Sequence, residues 1–113
     1  MTKYLYLFRG GDSRRENSSP EEMQDHMQKW GTWMQGLAEK GTLVDGLPLA
    51  KEGRVLSKDG NTETDGPFAE GVEIVGGYLI VNASDMANAT EIAKGCPIFE
   101  HEGTLEIREM LSM

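Results

Sequence analysis

From Lys3 to Arg9 the apolar side chains alternate without leaving either face of a strand polar, since Tyr4, Tyr6 and Phe8 point one way and Leu5 and Leu7 the other. A polar stretch, GGDSRRENSS, then breaks the pattern. Ser19, Pro20 and Glu22 supply an N-cap, a first-turn proline and a capping-box acid, so a helix is expected to start there. Through about Lys40, the residues Met23, His26, Met27, Trp30, Trp33, Met34 and Leu37 fall in one arc at 3.6 residues per turn. Glu21, Gln24, Asp25, Gln28 and Glu39 lie outside that arc, and Gly41 is the expected end. Gly31 and Gly36 each cost about 1 kcal/mol against alanine inside a helix. They therefore predict a close backbone approach or a kink.

Further along, TLVDGLPL reads as a second strand and GRVLSKDGNTET as a hairpin around Asp59-Gly60, an exposed polar flap. An elbow, Asp65-Gly66-Pro67-Phe68, precedes a third main strand over Ile74 to Val81 that is again apolar on both faces. A second helix follows in ASDMANATEIAKG. Ser84 is its expected N-cap and Gly95 its C′ residue, with Met86, Ala89, Ile92 and Ala93 facing inward. GTLEIREM closes the chain as a strand alternating Leu105 and Ile107 with Glu106 and Arg108.

The order β-α-β, hairpin, β-α-β predicts an α+β fold: a ferredoxin-like split βαβ with an antiparallel sheet, two helices on one face and a β-hairpin insertion. Two helices cover only one face of a sheet, and the other would expose apolar side chains. A homodimer packing sheet on sheet supplies the cover; the chain's own flap is the alternative.

With 113 residues and 38% hydrophobic content, the sequence predicts a single domain over residues 1–113 with one core. A formal net charge of −8 opposes nucleic acid and anionic lipid as partners. The apolar runs are too short to span a bilayer. One cysteine, Cys96, forms no internal disulfide, and "MTKYLYLFRGG" does not read as a secretory signal, so the cytoplasm is the expected location.

Two residues stand out for chemistry. His26 sits inside the apolar arc of the first helix and needs a partner there: it is either a general acid/base in a pocket roofed by Trp30 and Trp33, or a core histidine bonded to a backbone carbonyl or a Tyr hydroxyl. Asp65 is held by the elbow, either as a fixed carboxylate able to orient that histidine or a substrate, or as a turn cap. Phe68 drops inward as an anchor. Cys96 before Pro97 suits a small buried group, and His101 in FEHEG a solvated loop. No zinc or dinucleotide pattern is present, so no metal or cofactor is expected.

The run Asp65-Gly66-Pro67-Phe68-Ala69-Glu70 followed by Gly76-Gly77-Tyr78 resembles the signature of the YCII-related, or DGPF-domain, family. SPEEM at Ser19, EIAKGCP at Glu91 and GTLEIRE at Gly103 extend the likeness over nearly the whole chain. The resemblance implies a dimeric α+β barrel. It also implies a small bacterial protein, in some cases a dehydrochlorinase of chlorinated hydroxyhydroquinones and in others a product encoded beside sigma factors, with a His-Asp pair as catalytic site. In simpler members the histidine falls near Trp30 of this chain, one turn after His26. Together these give a cofactor-independent lyase acting on a small planar substrate, with His26 and Asp65 catalytic and Trp30 and Phe68 as pocket wall. The alternative is a non-catalytic ligand-sensing or protein-interaction module linked to transcription regulation.

Overall fold

Alternation along the first strand is the feature from which the architecture follows. The computed structural model describes residues 1–10, 19–50, 53–66, 75–101 and 103–112, with the backbone alone at 62, 64, 65 and 101. Strands β1 (Thr2–Arg9), β2 (Leu43–Pro48), β5 (Val75–Ala83) and β6 (Thr104–Glu109) form one antiparallel sheet in the order β2-β5-β1-β6. In its register Tyr4 lies opposite Val81, Tyr6 opposite Leu79 and Phe8 opposite Gly77. These residues are buried beneath two helices, α1 (Pro20–Glu39) and α2 (Met86–Ala93). The intervening pairs, Leu5 with Ile80 and Leu7 with Tyr78, point away from the helices and are only half-buried. The α+β, split-βαβ reading is met, and the molecule is 18 Å through its thinnest axis, as one sheet and one helix layer require.

Both helices start and stop on local chemistry. The Ser19 hydroxyl accepts the Glu22 N–H at 3.1 Å, and Pro20 opens the first turn. At the other end Gly41 takes φ +73° while the Thr42 N–H reaches the Leu37 carbonyl, a Schellman closure that a side chain would strain. Helix α2 is capped one residue later than expected. Asp85, not Ser84, accepts the Asn88 N–H at 2.8 Å, and Asn88 Oδ1 in turn accepts the Ser84 N–H. Gly95 follows without a positive φ; its lack of a Cβ instead clears the Trp33 indole, 3.2 Å from where one would lie.

Three other expectations change. Gly31 and Gly36 face open space, so neither marks a close approach. Met27, placed in the inward arc, is 56% exposed at the edge of a cavity rather than packed in the core, and Met86 on α2 is exposed too. The third main strand runs on to Ala83, past the expected Val81, while Ile74, its expected start, and the elbow residues Pro67 and Phe68 lie outside the described residues.

The expected hairpin is present as a separate ribbon of β3 (Gly53–Ser57) and β4 (Thr62–Gly66), with β3 exposed along its length. Lys58, Asp59 and Gly60 turn it with positive φ. Cys96 is buried as predicted, and burial pushes its thiol up to about 12. Among the described residues no helix is long and apolar enough to cross a membrane.

Candidate active site

Between the first half of α1 and the β2–β5 edge of the sheet lies a cavity of about 300 Å³. Its floor includes Phe8 and Leu79, its roof His26, Met27, Trp30 and Met34, and its rim Leu47, Pro48 and Ile98. Glycines shape the space. A Cβ on Gly46 would stand 2.1 Å from Leu79 Cδ2 and 2.7 Å from the Tyr78 carbonyl oxygen. One on Gly77 would meet the Leu47 carbonyl oxygen at 3.2 Å. The β2 and β5 backbones can therefore lie close together beneath the helix only because these positions carry no side chain.

Trp30 is the structural centre of the roof. Its ring packs edge-on against Phe8, with centroids 5.1 Å apart at 87°, and against Trp33 at 5.8 Å and 80°. With its body held on both sides, the indole N–H donates to His26 Nε2 at 2.9 Å. The histidine side chain is 13% exposed, so it borders the cavity from a largely dry position.

On its other side His26 Nδ1 lies 3.4 Å from Glu100 Oε2. Glu100 projects from a 3-10 turn over Pro97–His101 and takes the Lys29 ammonium on Oε1 at 2.9 Å. The Lys29 hydrogen bond is the main reason the Glu100 carboxyl is held below its ordinary range, with His26 adding to it, and the same contact raises Lys29. Asp25, one turn before Lys29, completes the row at 3.8 Å.

Of the residues expected to form the site, His26 and Trp30 meet at the cavity. Asp65 has its backbone in β4, paired with Arg54; its side chain, like the whole of Phe68, lies outside what is described. The carboxylate found against His26 is Glu100, 74 residues away in sequence. No spacing rule connects positions 26 and 100, and FEHEG carries no periodic signal, so only the closure of the sheet reveals the pair. Among the described residues no group of three or more His, Cys, Asp and Glu side chains could hold a metal ion.

The pattern of the YCII-related domain matches residues 5–113. The chain belongs to the YCII-related family. Among solved structures it is similar to the 5-chloro-2-hydroxyhydroquinone dehydrochlorinase of Burkholderia phenoliruptrix AC1100 in complex with 2,5-dihydroxybenzoquinone. That likeness has 12% identity and a TM-score of 0.49, covering 96% of this chain and 93% of the other. No curated protein matches the chain.

Proposed function

We propose that this YCII-related protein is a homodimeric small-molecule enzyme of the lyase or dehydrochlorinase type, which works by acid/base chemistry on a small planar substrate without a cofactor. The observation that carries the reading is His26, a ring at the wall of an otherwise apolar, aromatic-lined cavity with a carboxylate behind it. In an elimination, Nε2 would take a proton from the substrate, the freed electron pair would form a new double bond, and chloride would leave with the electrons of its C–Cl bond. Trp30 supplies wall and hydrogen-bond donor. Asp65 and Phe68, at the elbow, are proposed to orient the imidazole or the substrate and to complete the wall.

The homodimer reading draws on the half-buried outer sheet face, where Leu5, Leu7, Tyr78 and Ile80 form an apolar centre beside Leu47, 62% exposed. A second copy matches that face because it offers the same apolar strip to pair with.

The Trp30–His26 hydrogen bond favours one rival, in which the imidazole is a satisfied structural group and the cavity binds a ligand without altering it. A panel of phenols and chlorinated hydroquinones separates the two. The enzyme reading expects turnover of at least one compound and a loss of about 10²–10⁴-fold in kcat on His26→Ala, the usual worth of a general acid/base. Binding with no turnover in either protein would leave the sensing module standing.

A further inference from the structure

We infer that Glu100 is the positioning residue of His26: it fixes the imidazole as the Nδ1–H tautomer and so makes Nε2 the basic nitrogen. This deepens the acid/base reading above and rests on it for its catalytic consequence alone. An indole N–H only donates, so Nε2, 2.9 Å from Trp30 Nε1, is an acceptor. A neutral imidazole carries its one hydrogen on the other nitrogen, and Nδ1 faces Glu100 Oε2 at 3.4 Å. The carboxylate accepts there.

Glu100 is itself aimed from two directions. Lys29 occupies Oε1 at 2.9 Å, which turns Oε2 toward the ring. The backbone beneath it is pinned by buried Pro97 and Ile98 and by the Gly103 N–H, which reaches the Ile98 carbonyl at 3.1 Å. A Cβ at Gly103 would stand 2.5 Å from Ile98 Cγ1 and 2.9 Å from the Arg9 carbonyl oxygen, so the return from this turn runs against the core with no slack. A negative group held behind Nδ1 also stabilises the positive ring that forms whenever Nε2 takes a proton.

The test is the His26 ring tautomer, read by long-range ¹H–¹⁵N correlation with the resonances assigned against His26→Ala. Because Trp30 selects the same tautomer, the contribution of Glu100 is isolated in a Trp30→Phe background. Trp30→Phe alone should stay Nδ1–H, held by Glu100. Trp30→Phe with Glu100→Ala should carry measurably more of the Nε2–H form than Trp30→Phe alone. If Trp30→Phe alone already reverts, or the double variant does not move, the inference is overturned. Glu100→Gln, whose amide oxygen still accepts from Nδ1 but carries no charge, should keep the tautomer and lower kcat by about tenfold or more with KM little changed, a share of the ~10²–10⁴ that acid/base catalysis supplies. An unchanged kcat in Glu100→Gln with the tautomers behaving as stated would keep Glu100 as the positioning group while removing its charge from the chemistry, and an unchanged kcat in His26→Ala would remove the acid/base reading itself, so the two readings fail separately.

Discussion

Trp30 gives its indole N–H to Nε2 of His26 one turn earlier on α1, so the nitrogen proposed to act as base is already occupied when the cavity is empty. A ligand that uses Nε2 must displace this bond. Trp30→Phe keeps an aromatic wall and removes the donor, and a net hydrogen bond is worth about 0.5–1.5 kcal/mol. A phenol should therefore bind up to about tenfold more tightly to the variant, while its methyl ether, which has no O–H to offer, should gain nothing. Calorimetric titration of both compounds into both proteins checks it; equal changes for the pair would mean the ligand does not address Nε2.

Gly46 is the position where cavity and core are set together. Gly46→Ala would drive a methyl into Leu79 and the Tyr78 carbonyl at distances no van der Waals contact allows. The β2–β5 pair must part or Leu79 must leave its rotamer, and overpacking of this kind costs about 1–3 kcal/mol. Urea unfolding should show the loss, with the denaturant slope unchanged. Ligand affinity should fall as well, since the same glycine borders the cavity.

How far these features could be read from the sequence depends on how local they are. The first helix with its caps, the hairpin turn and the two-faced strands are written in short-range patterns, whereas the cap of α2 slipped by one residue and the register of Tyr4, Tyr6 and Phe8 against β5 is set by the sheet. His26 was also legible, because a polar ring in an apolar arc is an anomaly visible without coordinates. Glu100 was not: its role depends on the strand order, which carries the turn after α2 back to the first half of α1. Gly31 and Gly36 misled because a helix glycine is equally compatible with crowding and with open space. The exposure of Met27 was hidden because periodicity gives the direction of a side chain and not the extent of the surface beneath it.

Tyr6 has no exposed surface, and its hydroxyl donates to the Ala89 carbonyl of α2, tying sheet to helix. Tyr6→Phe keeps the ring and removes that bond. A loss of about 1 kcal/mol is expected, the net worth of one hydrogen bond. A thermal scan of the pair measures it; a variant as stable as the parent would show that the contact only satisfies the hydroxyl.

Alkali should loosen the same region. Burial pushes Tyr6 from its ordinary value of 10.0 up to about 12, and Cys96 from 9.0 up to about 12. Both groups bind their protons more tightly when folded, so their contribution is whole below about pH 9 and is lost as pH rises toward 12. Urea midpoints should fall across that window, and Tyr6→Phe should flatten the upper part of the fall. Iodoacetamide at pH 8 should label Cys96 slowly in the native protein and quickly in urea, since the thiolate is the nucleophile and the native site suppresses it.

The proposed homodimer is tested at the outer sheet face. Leu5, Leu7 and Ile80 form its centre, and along the β6 edge Glu106 bridges Arg9 at 3.2 Å and Arg108 at 3.3 Å, so the apolar strip is bordered by charges on that side. Two copies related by a two-fold axis would bury the strips against each other and leave both charged edges wet, which a heterologous contact of the same face would not achieve. Ile80→Glu sets two carboxylates into that contact without touching the helix side of the sheet, where Leu79 and Val81 hold the core. Sedimentation at micromolar concentration should give a dimer for the parent and a folded monomer for Ile80→Glu, with helical circular dichroism retained in both. A parent that sediments as a monomer would show that this face stays open and would remove the homodimer from the proposed function, while the His26 cavity, whose described lining residues all belong to one chain, would remain to be tested by its ligands.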